Sequence, residues 1–131
     1  MNTAGSALVD TNVVVAYFRG DRVLPPRFAE LTAVYLPWVV LGELHFGAQR
    51  AQRREEQLAY IRDFLTTAVV LFPDQHTTEH YGQIKAELAQ IGKPIPDNDV
   101  WIAALARQHD LPLATRDDHF TAVRALKTLA W

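Results

Sequence analysis

The sequence predicts an α/β fold in a single domain of 131 residues. Three observations carry that prediction. Short apolar runs alternate with stretches of helical periodicity, the pattern of a mostly parallel central sheet of about four to five strands with helices on both faces. The length suits one hydrophobic core, since single cores span roughly 100–200 residues. No internal repeat, low-complexity tract or Gly/Ser linker divides residues 1–131 into two units.

Ser6-Ala7-Leu8-Val9 reads as a buried strand that ends at Asp10. Val13 to Arg19 is helical and stops at Gly20, and Pro25-Pro26 opens a short helical piece. Tyr35-Leu36 is a brief apolar run before Pro37. Trp38 to about Arg50 is helical, with Val39, Val40, Leu44 and Gly47 on one face. Arg53 to Leu65 is a second amphipathic helix, with Leu58, Ile61, Phe64 and Leu65 inward. Ala68 to Phe72 is the strongest strand signal, stopped by Pro73-Asp74. A helix follows to about Ile91, capped by Gly92. After Pro94-Ile95-Pro96, Val100 to Ala106 is apolar almost all round and predicts a helix buried on most sides. Leu111-Pro112-Leu113-Ala114 reads as a last short core strand before an Asp-rich turn.

Composition bounds the function. At 49% hydrophobic and 21% charged the chain is globular rather than disordered. Cysteine is absent, which excludes thiolate nucleophiles, thiolate ligands and disulfides, and favours a reducing compartment. The segment Met1-Asn2-Thr3-Ala4-Gly5-Ser6 has no basic residue and no long apolar run after it, so neither a signal peptide nor a membrane span is expected. Thirteen basic residues against fifteen acidic ones give a net charge of -2, which by itself speaks against nucleic-acid binding.

The placement of the acids changes that reading. In open parallel sheets ligands bind beyond the carboxyl ends of the strands, at a topological switch point. Two predicted strands end in acid, at Asp10 and at Asp117, and each could equally cap the helix that follows. Glu43 falls amid the apolar stripe of its helix, where a carboxylate needs a cation, a metal or a raised pKa, the structural alternative being a buried pair with an arginine. Asp99 and Asp97 stand at the start of the most apolar helix; Asp97 is the better candidate for its cap and Asp99 for a functional residue. Each acid alone has a structural explanation. Gathered in one place they would repel strongly unless divalent cations offset them. All-oxygen ligands without histidine or cysteine suit Mg²⁺ or Mn²⁺ better than Zn²⁺. Such sites act on phosphate esters by activating water and stabilising charge on the phosphate. Setting those five acids aside leaves ten against thirteen basic residues, or +3. Arg19, Arg22, Arg50, Arg53 and Arg54 then become candidates for phosphate contact.

Five segments in order resemble the PIN-domain family and, within it, the toxin branch called VapC. They are Leu8-Val9-Asp10-Thr11-Asn12, Val40 to Gly47 with Glu43, Gly92 to Ala104 with Asp97 and Asp99, Leu113 to Phe120 with Thr115 and Asp117, and Trp131. The resemblance implies a PIN-like domain and a metal-dependent endoribonuclease using Mg²⁺ or Mn²⁺. Its catalytic and metal-holding acids map onto Asp10, Glu43, Asp99 and Asp117, with Asp97 as a further ligand candidate. It also implies that Asn12 and Thr115 order the site, that RNA is the substrate, and that the protein is a homodimer in the prokaryotic cytoplasm. The partner it implies is a small VapB-type antitoxin whose tail covers the active site, in a heterotetramer or larger assembly. Tyr17, Phe18, Trp38 and Phe46, on or beside the two helices flanking the site, are candidates for the groove that takes an antitoxin helix.

Three rival readings compete. His76-Thr77-Thr78-Glu79-His80 fits the H-x-x-E-H pattern of inverted zinc proteases, on the first turn of a surface helix. A metal-dependent phosphatase could use a similar α/β scaffold. A non-catalytic PIN-fold interaction module would have no physical reason to keep mutually repelling acids.

Overall fold

The computed structural model describes residues 5–131; Met1 to Ala4 of the opening segment lie outside the described residues. The chain runs β1 (Ser6–Val9), α1 (Thr11–Phe18), α2 (Leu24–Ala29), β2 (Ala33–Pro37), α3 (Trp38–Arg50) and α4 (Arg54–Leu65). It continues through β3 (Ala68–Leu71), α5 (Gln75–Gln90), α6 (Asp97–His109), β4 (Leu113–Thr115), a 3-10 turn over Asp118–Ala122, and β5 (Thr128–Ala130). The five strands form one parallel sheet in the order β3-β2-β1-β4-β5. The expected fold class is therefore the observed one.

Chain order explains where a site can form. From β1 the chain moves outward through β2 to β3, then returns to lay β4 and β5 on the other side of β1. The switch point lies between β1 and β4, whose register pairs Leu8 with Leu113 and Val9 with Ala114. The residues just past that pair are Asp10 on one side and Thr115 to Asp117 on the other. The Asp10 amide donates to the Ala114 carbonyl at 3.0 Å, which ties the two strand ends together.

The centre of the sheet is fully dry. Ala7, Leu8, Val9, Leu113 and Ala114 have no exposed surface, and Ile102 to Leu105 of α6 cover them equally completely. Burying a side chain such as Leu8 or Ile102 is worth about 1.5–3 kcal/mol. Alanines at 103, 104 and 106 keep α6 slim enough to sit inside the molecule, as its all-round apolar sequence anticipates. Helix α5 starts with a reciprocal cap, in which Asp74 accepts from the Thr77 amide and the Thr77 hydroxyl accepts from the Asp74 amide. It ends before Gly92, whose φ of 67° is the left-handed conformation that glycine adopts without a Cβ penalty.

Several expectations need correction. The brief Tyr35-Leu36 run is the middle of a buried strand, β2, next to the sheet centre. Ala68 to Phe72, the strongest strand signal, forms the sheet edge: β3 stops at Leu71, and Val69 and Phe72 are exposed. Strong β-formers here compensate for having only one strand neighbour. The strand at Leu113 is not the last, because Thr128–Ala130 adds β5, too short and too mixed in polarity to show as a period-two run. On α3 the buried stripe is Val40, Leu44 and Ala48 rather than one reaching Gly47, and that rotation moves Glu43 to the flank of the stripe. Among the described residues no helix is long and apolar enough to cross a membrane.

Candidate active site

Asp10 follows β1 directly and is 6% exposed. One carboxylate oxygen accepts from the Thr11 amide at 2.8 Å and caps α1; the other accepts from the Thr115 hydroxyl at 2.8 Å. The cap and the functional reading of this acid are thus compatible in one geometry. Burial pushes the Asp10 carboxyl above its ordinary range, and the charges of Glu43 and Asp117 push the same way against its two hydrogen bonds.

Asp117 repeats the arrangement at the end of β4. Its carboxylate accepts from the His119 amide at 3.1 Å and caps the 3-10 turn, while its own amide donates to the Thr115 hydroxyl at 3.0 Å. Thr115 therefore links the two strand-end acids through a single oxygen. Asn12 ties the same loop, its side-chain oxygen accepting from the Arg116 amide at 3.2 Å. The Arg116 side chain reaches outward, donating to Asp21 at 2.7 Å and to the Trp131 carbonyl at 3.0 Å. The loop after β4 is held from α1, from the α1–α2 connection and from the residue after β5.

Asp99 projects from the first turn of α6. Burial raises its carboxyl first, then the Asp10 charge, with His119 acting in the opposite direction. Its oxygen lies 2.6 Å from His119 Nε2, and His119 Nδ1 lies 2.9 Å from Asp117. The ring thus bridges the two carboxylates, one through each nitrogen. Glu43 approaches from α3 on the Asp10 side, accepting from the Thr11 hydroxyl at 2.8 Å and the Asn98 amide group at 3.2 Å. These neutral donors are its partners rather than an arginine, so the ion-pair explanation for Glu43 falls away.

The structure brings Asp10, Glu43, Asp99 and Asp117 to one end of the sheet and leaves Asp97 out. Asp97 is exposed and paired with Lys85 at 2.8 Å, which holds its carboxyl below the ordinary range. It is not the cap of α6 either, since Pro96 occupies that position without any side-chain cap bond. His119 is the residue that sequence reasoning missed. Its place two positions after Asp117 in Asp117-Asp118-His119-Phe120 was the available signal, and a 3-10 turn folds its ring back over the acids.

Ligand atoms of Asp99, Asp117 and His119 lie within 4.8 Å of one another and could hold one ion. The donor set fits a divalent cation: two carboxylates that repel each other and a ring nitrogen, with the buried Asp10 adjacent. A ring nitrogen stands beside the expected oxygen ligands: the carboxylates suit Mg²⁺ and Mn²⁺, while an imidazole also suits Zn²⁺ or iron. His76, Glu79 and His80 form no such group among the described residues; His76 and Glu79 sit exposed on the first turn of α5, 3.5 Å apart.

The four aromatic groove candidates separate. Tyr17 and Phe18 join Phe28, Tyr60 and Phe64 around a cleft of about 490 Å³ between α1, α2 and α4. Trp38 instead packs edge-on against Trp101, which stacks on Tyr81. Phe46 is 61% exposed beneath the Arg50 guanidinium.

A five-stranded parallel sheet with acids gathered at its switch point defines a class, and the chain belongs to the PIN-domain family, whose sequence profile it matches over residues 7–126. Its relatives within that family are VapC proteins. Ribonuclease VapC2 of Haemophilus influenzae is 34% identical over 127 residues, covering 95% of this chain and 96% of the relative. Among solved structures, VapBC-1 from nontypeable Haemophilus influenzae superposes with a TM-score of 0.88 at 25% identity, covering 96% of this chain and 98% of that one. VapBC-5 of Mycobacterium tuberculosis, a member of the VapBC family of toxin-antitoxin systems, gives 0.74 at 27% identity over 95% of this chain and 96% of that one.

Proposed function

We propose that this chain is a divalent-metal-dependent endoribonuclease, the toxin of a VapC-type toxin–antitoxin pair, working as a homodimer with RNA as substrate. The observation that carries the reading is the convergence of Asp10, Glu43, Asp99 and Asp117 at the switch point, around a three-residue donor set, in a chain related to a named ribonuclease. When bound, a Mg²⁺ or Mn²⁺ ion supplies Lewis acidity, acidifying a water and offsetting charge on the phosphate oxygens. Asp99 and Asp117 would hold it, with Asp10 and Glu43 beside them directly or through waters.

The rest of the chemistry belongs to the chain. Thr11 and Thr115 fix both oxygens of Asp10, and Thr11 and Asn98 fix both oxygens of Glu43, so neither acid needs to reorient when substrate arrives. Asn12 and Thr115 hold the loop that carries Asp117. Water is the nucleophile in this reading, and no covalent enzyme intermediate forms. The test is cleavage of single-stranded RNA by the purified chain with Mg²⁺ or Mn²⁺, with chelator, and against a small phosphate monoester. Metal-dependent RNA cleavage without monoester turnover is the expected result. Monoester turnover without RNA cleavage would replace the reading with a phosphatase, and no turnover of either would leave an interaction module.

The VapBC neighbours support an antitoxin partner, and the aromatic cleft beside α1 suits an amphipathic helix from it. Tyr17→Ala is expected to weaken binding of the cognate antitoxin about tenfold, as loss of an aromatic anchor does. Trp38→Ala and Phe46→Ala, outside the cleft, should change affinity little. Calorimetric titration of the three variants decides it; a larger loss at Trp38 or Phe46 would move the groove to α3.

A further inference from the structure

Arg19 closes α1 at its C-cap, on the helical face that also carries Asn12 and Ala16. Seven residues of helix separate it from Asn12, about 10 Å along the axis. A shallow cleft of about 500 Å³ follows that face, lined by Asn12, Ala16, Arg19, Asp21 and Arg116. Its inner end is the Asn12–Arg116 bond that anchors the Asp117 loop. Arg19 also lines a second cleft, of about 280 Å³, together with Glu43. The side chain therefore stands on the rim of the acid cluster, between two surface channels that lead away from it.

The two arginines of this rim differ. Arg116 is committed, with Asp21 and the Trp131 carbonyl as its partners. Arg19 is exposed and has no ion pair or side-chain hydrogen bond among the described residues. Asp21, the nearest acid along the chain, gives its carboxylate oxygens to Arg116 and to the Val23 amide. An unpaired guanidinium that shares a cleft with Glu43, one of the four clustered carboxylates, has an evident ligand in a polyanion whose central phosphate occupies the cluster. A planar fork of N–H donors matches the two free oxygens of a phosphodiester.

We propose that Arg19 is a subsite for a non-scissile phosphate of a single-stranded RNA, binding the backbone next to the bond being cut and setting the strand's direction along the cleft. The proposal rests on the nuclease reading above. It assigns a binding role only: the contact is to phosphate, so it carries no base preference.

The test measures binding separately from cleavage. In an Asp10→Asn background with Mg²⁺, a fluorescent single-stranded oligoribonucleotide is titrated by anisotropy at several salt concentrations. Adding Arg19→Ala should weaken binding about fivefold and lower the slope of log K against log salt by about 0.7, the value for one lost phosphate contact on a single strand. Arg19→Lys should restore most of the slope and less of the affinity, because the charge returns without the fork. In the otherwise wild-type enzyme, Arg19→Ala should raise KM with kcat held within about twofold, the signature of lost uniform binding. A parent that binds RNA with the same slope in the presence of Arg19→Ala overturns the subsite and leaves the nuclease reading intact. A fall in kcat with unchanged KM overturns it as well, by making Arg19 a structural support of the acids. RNA that the Asp10→Asn protein does not bind and the wild-type enzyme does not cut overturns both.

Discussion

Asp10→Asn and Asp99→Asn are each expected to lower RNA cleavage at least about a hundredfold, since even outer partners of metal ligands cost up to that much. Both proteins should remain folded. The sign of the stability change follows from the raised carboxyl of Asp99. A folded-state pKa above the unfolded value means the native state binds the proton more tightly. Its stability therefore falls as pH rises from the unfolded value, about 3.9, through the raised one, and the cost is complete above that. Asp99→Asn removes this cost. In chelator at neutral pH the variant should melt at or above the wild-type temperature, and the difference should close as pH falls toward the unfolded value. Asp10→Asn is the less clean of the two, because the Asp10 carboxylate also receives the Thr11 amide and the Thr115 hydroxyl. Wild-type cleavage by either variant would remove the site assignment; a variant melting well below wild type at neutral pH would mean that Asp99 serves the fold.

The second large effect is stabilisation by metal. At a hundredfold excess over its dissociation constant, an ion bound only by the native state adds about 2.7 kcal/mol. For a domain of this size that corresponds to a rise in Tm of about 10 °C. Mg²⁺, Mn²⁺ and Ca²⁺ should all contribute, with Ca²⁺ supporting little cleavage because its looser coordination positions water and phosphate poorly. Asp99→Asn should abolish most of the shift, since Asp99 belongs to the three-residue donor set. Glu43→Gln should give a smaller loss, because Glu43 stands on the Asp10 side, held by Thr11 and Asn98. Differential scanning of the three proteins with and without metal reads this directly. Equal shifts in all three would put the ion elsewhere.

How much of this was legible in the sequence depended on whether a signal was local. Helix α3 appeared with its observed ends because Pro37 precedes it and Val40 and Leu44 recur at helical spacing. The buried character of α6 was equally plain from its composition. Strand β5 was invisible, since three residues with one half-buried leucine carry no periodicity and depend on pairing with β4. The acids at strand ends could be proposed from the switch-point rule, but the orientation of a side chain at a helix start could not. Asp97 and Asp99 differ by two residues, and on a helix two residues is about 200° of rotation, enough to send one to Lys85 and the other to His119. His119 was hidden for a related reason: a single 3-10 turn sets its direction, and that turn exists because Asp117 caps it.

Because β4 lies against β1, the acid cluster joins residues from both ends of the chain: Asp10 near the start, Glu43 in the first half, Asp99 to His119 near the finish. During synthesis the N-terminal strands, α1 and α3 emerge first, carrying Asp10 and Glu43 but neither Asp117 nor His119. The centre then exists only as a fraction of itself, without its donor set. Domains fold as units as they leave the ribosome, at about 5–20 residues per second. A nascent chain of this topology therefore lacks a complete acid cluster until β4 and the 3-10 turn after it have been made.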